Sequence, residues 1–86
     1  MSDHPTDFVG SIPEAIRDAI VQKIPGAKVE ADGGGGHYTI VVHSAAFAGK
    51  SMLESQRLVY AAIAHLMAGD RAPIHAVDTL KTHATG

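Results

Sequence analysis

The stretch from His37 to Thr82, HYTIVVHSAAFAGKSMLESQRLVYAAIAHLMAGDRAPIHAVDTLKT, contains a strand, a helix and a second strand, and their order decides the fold. In HYTIVVHS (37–44), Tyr38, Ile40 and Val42 alternate with Thr39, Val41 and His43, the period-two pattern of a strand with one buried face. SAAFAGK reads as a loop. From Ser51 the pattern changes: Ser51 and Glu54 have capping-box spacing, the segment to Met67 is rich in Ala, Leu and Met, and Gly69 stands where a left-handed terminal glycine is expected. Leu53 to Gln56, Val59 to Ile63 and Leu66 to Met67 give this helix a broad apolar face. After the connector DRAP, IHAVDTLKT (74–82) reads as the last strand. Its core VDTLKT breaks strict alternation, leaving the inward phase open between Val77 with Thr79 and Leu80. A strand, helix and strand joined in this way favour a right-handed crossover into a parallel pair.

Working back towards the N-terminus, Ser11 and Glu14 repeat the capping-box spacing, and Pro13 is tolerated in a first turn, where its missing N–H is not needed. Ile12, Ile16, Ile20 and Ile24 recur every fourth residue as one apolar stripe, and Pro25-Gly26 ends the helix. AKVEAD (27–32) is a shorter candidate strand. With glycines 33–36 between it and HYTIVVHS, the pair reads as a hairpin with a loose connection. The expected fold class is therefore α+β, in the order α-β-β-α-β, with a three-stranded mixed sheet, both helices on one face and the other face open. Residues 1–10 are expected to be a flexible arm, 11–82 a single domain and 83–86 a tail.

At 86 residues the chain can bury one modest core, and with 45% apolar and 5% aromatic residues that core must be aliphatic. The absence of cysteine removes disulfides, thiolate nucleophiles and thiolate ligands, so any metal ligand must be His, Asp or Glu. The beginning of the chain, MSDHPTDFVG, lacks a basic segment followed by an apolar run, and no stretch approaches the ~20 apolar residues of a membrane span. A cytoplasmic location is expected. The formal net charge of −2 argues against a strong non-specific grip on phosphate backbones, although not against a local basic patch.

Six histidines carry what metal chemistry the chain has, and they show neither HExxH nor HxH spacing. His37 ends the glycine loop and His75 begins the last strand. If the two strands pair in parallel, both histidines lie at the same end of the sheet, where they are a candidate ligand pair or simply polar residues at strand ends. His43 reads as a solvated strand residue and His65 as a cation suited to a helix C-terminus, while His4 and His83 fall in the expected arm and tail. Ser51 reads as a cap rather than a nucleophile, and neither G-x-S-x-G nor a phosphate-binding loop is present. The glycines match a GxxG pattern formally, but they join two strands where the nucleic-acid-binding motif joins two helices. Catalysis has little support. Lys50, Arg57 and Lys81 would form a basic patch if the start of the second helix and the last strand converge.

The combination FAGKSMLESQRLVYAAIAHLM followed by IHAVDTLKT resembles the BolA family. The matching features are Phe47, Gly49, Lys50 and Ser51 before the helix, RLVY at 57–60, IHA at 74–76, and GGGHY ahead of them; the resemblance covers about Ile12 to Thr82. It implies a fold related to class II KH domains. It also implies a non-enzymatic adaptor that binds a monothiol glutaredoxin and shares a [2Fe–2S] cluster, with a glutaredoxin cysteine and glutathione holding one side and the adaptor's histidine the other. The family's last-strand histidine falls on His75. Where several branches carry a Cys or His earlier in the hairpin loop, this chain has glycine, so the second ligand falls on His37, with the glycines as a tether that lets it swing towards the cluster. The third helix common in the family is not evident before the chain ends at HATG.

On this resemblance the isolated chain is expected to hold no metal, because two histidines leave most of an iron coordination shell unfilled. The competing expectation is a DNA-binding regulator of stress or morphology genes, with Lys50, Arg57 and Lys81 contacting phosphates. A third is a homodimer formed through the open sheet face.

Overall fold

The computed structural model of the chain describes residues 11–85. The expected arm, with His4, lies outside the described residues. The elements are α1 (Ile12–Lys23), β1 (Lys28–Gly34), β2 (His37–Ser44), a short 3-10 turn (Ala45–Phe47), α2 (Met52–Met67) and β3 (Ala76–Ala84). Strand order in the sheet is β1-β2-β3, antiparallel between β1 and β2 and parallel between β2 and β3. The expected α+β class, mixed sheet and element order are all present.

The isoleucine stripe explains α1. Ile12, Ile16, Ile20 and Ile24 are all buried, packed with Ala19 against the inward residues of β2, which are Tyr38, Ile40 and Val42. At the start of the helix the Ser11 hydroxyl accepts from the Glu14 N–H at 3.3 Å. In α2 the box at Ser51 is reciprocal: Glu54 N–H donates to Ser51 Oγ (3.1 Å), and Ser51 N–H donates to Glu54 Oε1 (2.9 Å). Val59, Ala62, Ile63 and Leu66 carry α2 onto the core. The broad apolar face expected for α2 is narrower in the fold. Leu53 and Tyr60 are exposed, because only the α2 stripe directed at the sheet and α1 has anything to pack against. Within the expected loop, Phe47 is buried and closes one end of the core.

The phase conflict in VDTLKT is resolved by a bulge. Tyr38 pairs with Val77 but Thr39 pairs with Thr79, so Asp78 is an extra residue in β3. This shift lets both Val77 and Leu80, three residues apart, pack against the core, which unbroken alternation forbids. The strand begins later and ends later than expected: Ile74 is buried ahead of it, and His83 and Ala84, assigned above to a tail, pair with His43 and Ser44. On the face away from the helices, Lys28, His43 and His83 stand in one row, Glu30, Val41 and Lys81 in the next, then Asp32, Thr39 and Thr79.

Two predictions rest on this packing. Ile40 is fully buried on the central strand, so Ile40→Ala should cost about 2–5 kcal/mol in denaturant unfolding, the range for an aliphatic core truncation. The capping box is also a pH device. The Ser51 backbone N–H, then its hydroxyl, and finally nearby Lys50 hold the Glu54 carboxyl below its ordinary value, against a desolvation acting the other way. A depressed folded value means stabilisation present above the unfolded value and lost as pH falls through the folded one. Unfolding midpoints of the native chain should therefore decline more steeply with acid in that window than those of Glu54→Gln.

Candidate functional site

Two of the four consecutive glycines belong to β1, where Gly34 pairs with His37. Only Gly35 and Gly36 form the connection, and both have positive φ (+63° and +87°), as a two-residue type I′ hairpin turn requires. The loose tether expected from GGGG is thus a tight turn, and His37 does not hang from it. Its backbone is the first rung of β2, and its ring is tied as well: Nδ1 lies 3.1 Å from Asp78 Oδ1. An ionised carboxylate only accepts, so in the neutral ring it is the Nδ1–H tautomer that makes this contact, and Nε2 keeps its lone pair for another partner. Asp78 is the bulge residue, and the register shift that settles the core phase also presents its carboxylate to His37.

His75 is positioned from both sides. Upstream, Ile74 is buried and its N–H donates to the Leu66 carbonyl at 3.1 Å, anchoring the segment beneath the end of α2. Downstream, the N–H groups of His75 and Ala76 both donate to the Gly36 carbonyl, at 2.8 and 3.0 Å. The His75 ring packs on the turn where a side chain would stand: a Cβ placed on Gly36 would lie 2.6 Å from His75 Cδ2. Parallel pairing therefore brings His37 and His75 to the same end of the sheet, as the sequence reading expects, with His37 opposite Ala76.

Beside His75 a cleft of about 490 Å³ runs between the start of α1, the glycine turn and the 70–73 connector, with Ile12, Tyr38, Asp70, Arg71 and Pro73 among its walls. Both histidines are exposed. Among the described residues no three or more His, Cys, Asp or Glu side chains gather as a metal site, so the donor set at this end is two imidazoles with one supporting carboxylate. Two imidazoles by themselves leave most of a metal's coordination shell unfilled.

The start of α2 does approach the last strand, where Gln56 Nε2 donates to the Leu80 carbonyl at 3.3 Å, but the three expected cations do not share one face. Lys81 shares a row with Val41 and Glu30 on the face away from the helices, whereas Arg57 is on α2 and Lys50 just before it. Strand alternation decides this, since Leu80 and Thr82 take the inward positions next to Lys81. Sequence reasoning missed Asp78 and Gly36. Asp78 is recognisable as a partner only once the bulge is known, and Gly36 only once His75 is seen resting on it. No helix among the described residues is long and apolar enough to cross a membrane.

An α-β-β-α-β domain with a histidine at the hairpin turn and another opening the last strand defines a class, and comparison with known proteins agrees. The family model described as BolA-like protein matches residues 17–85. The chain belongs to the BolA-like family. Solved structures similar to it include a bol-like protein from Babesia bovis, 30% identical, TM-score 0.64, covering 87% of this chain and 88% of that one. Mouse BolA1 is similar at 27% identity and TM-score 0.61, covering 95% and 73%. The BolA domain of SufE1 from Arabidopsis thaliana is similar at 25% identity and TM-score 0.61, covering 87% and 95%. No curated protein matches the chain significantly.

The contact of Gly36 with His75 makes a paired prediction. Gly35→Ala should cost about 1–2 kcal/mol, the penalty for a side chain at positive φ, because nothing lies within 4 Å of its added Cβ. Gly36→Ala should add displacement of the His75 ring to a similar cost, seen as a shift of the His75 ring resonances that Gly35→Ala does not produce.

Proposed function

We propose that this protein is a non-enzymatic adaptor that binds a monothiol glutaredoxin and co-ligates a [2Fe–2S] cluster through His75 and His37, in iron–sulfur cluster trafficking. The observation that carries the reading is the pair at one end of the sheet, where His37 has Nδ1 committed to Asp78 and Nε2 available, and His75 is seated on Gly36. A histidine ligand whose second nitrogen donates to a carboxylate has the usual orientation of a metal-binding imidazole. The likeness to the BolA domain of SufE1 supports an iron–sulfur context.

The chemistry suits a shared cluster. With no cysteine of its own, the chain offers imidazole in place of thiolate at this end, and that replacement lowers the negative charge on the cluster and raises its reduction potential. The remaining ligands, a glutaredoxin cysteine and glutathione, come from the partner side. Imidazole is also released by acid, because protons compete with iron for the same lone pair. Regulation of genes through DNA is the weaker reading, because it relies on Lys50, Arg57 and Lys81, which lie on two sides of the sheet.

Mixing the protein with a cluster-loaded monothiol glutaredoxin should change the visible circular dichroism of the cluster, and His75→Ala should abolish the change. An unaltered spectrum with the native chain would overturn the proposal. Asp78→Ala should leave the fold intact but weaken cluster retention about 10-fold or more, the usual effect of losing a ligand's hydrogen-bond partner, measured as cluster loss to a chelator.

A further inference from the structure

At the opposite end of the sheet a second pair of histidines faces solvent. His43 on β2 and His83 on β3 are register partners, and their rings stack with centroids 4.8 Å apart and planes 20° from parallel. We propose that His43 and His83 form a separate binding site for one divalent transition-metal ion of the zinc, nickel or copper class. Six residue steps along β2 separate His43 from His37, about 20 Å, so this site is independent of the His37 and His75 end.

The geometry comes from the backbone. Register partners on parallel strands project from the same face at one inter-strand spacing, which the ring separation matches. An ion bound by two imidazoles at about 2.0–2.1 Å needs the two ligating nitrogens about 3 Å apart. Rotation about the side-chain bonds supplies that approach, since His83 is exposed and His43 only half-buried. Imidazole selects borderline ions over calcium or magnesium. Two protein donors with water completing the shell make an exchangeable site, not a structural zinc.

The charged neighbours on this face are Lys28, in the same row on β1, and Glu30 and Lys81 one row further in. Lys28 opposes a cation, and a carboxylate in its place would stand in line with both rings. An occupied site would cross-link the last residues of β3 to the central strand, where Thr85 N–H already donates to the Ser44 carbonyl at 3.2 Å.

The test is a titration of the full chain with zinc chloride alone, in a His37→Gln/His75→Gln background that silences the other end, followed by NMR of the histidine rings. Expected are joint shifts of the His43 and His83 rings saturating at one ion per chain, at least about tenfold weaker binding in His43→Gln and in His83→Gln, and tighter binding in Lys28→Glu. Absence of a joint shift under excess zinc would overturn the site. So would a smaller loss in either glutamine variant, or a Lys28→Glu chain that binds no more tightly than its parent.

Discussion

Parallel pairing of β3 against β2 is the constraint on which the rest of the molecule depends. Without it the Gly36 carbonyl has no His75 and Ala76 N–H groups to accept, Asp78 does not face His37, and His83 has no His43 beside it. Parallel strands need a long crossover, and α2 is that crossover. Its stripe of Val59, Ala62, Ile63 and Leu66 holds the sheet from one side, and its last turn accepts from Ile74 to start β3 in the correct place.

The bulge at Asp78 shows how one irregularity serves two needs. The core requires both Val77 and Leu80 inside, and a strand satisfies both only by inserting a residue between register pairs. The inserted residue is unpaired in the ladder, free to be polar, and close to the first residue of β2. A carboxylate there gives His37 a hydrogen-bonded orientation. The same bulge links stability to ligand geometry, because register errors that would unseat Asp78 would also expose Val77 or Leu80.

The glycine-rich turn is constrained differently from its appearance in sequence. Four successive glycines suggest slack, yet the hairpin closes in two residues whose positive φ values admit little else than glycine, and Gly36 is further confined by the His75 ring. The site is therefore preorganised at its backbone. What remains adjustable is the outward side of two exposed imidazoles, as suits a surface that shares a ligand with a partner.

The sequence by itself determined the element order, the α1 stripe, the inward set Tyr38, Ile40 and Val42, both helix caps and the placing of His37 and His75 at one end, because period and capping chemistry act over a few residues. Tertiary structure alone decided the pairing of His37 with Asp78, the seating of His75 on Gly36, the exposure of Leu53 and Tyr60, the turning of Lys81 away from the helices, and the stacking of His43 on His83. Apart from the exposure on α2, which depends on what packs against that helix, each depends on strand register, and register is a non-local quantity: one inserted residue changes which side chains meet, leaving local propensities as they were.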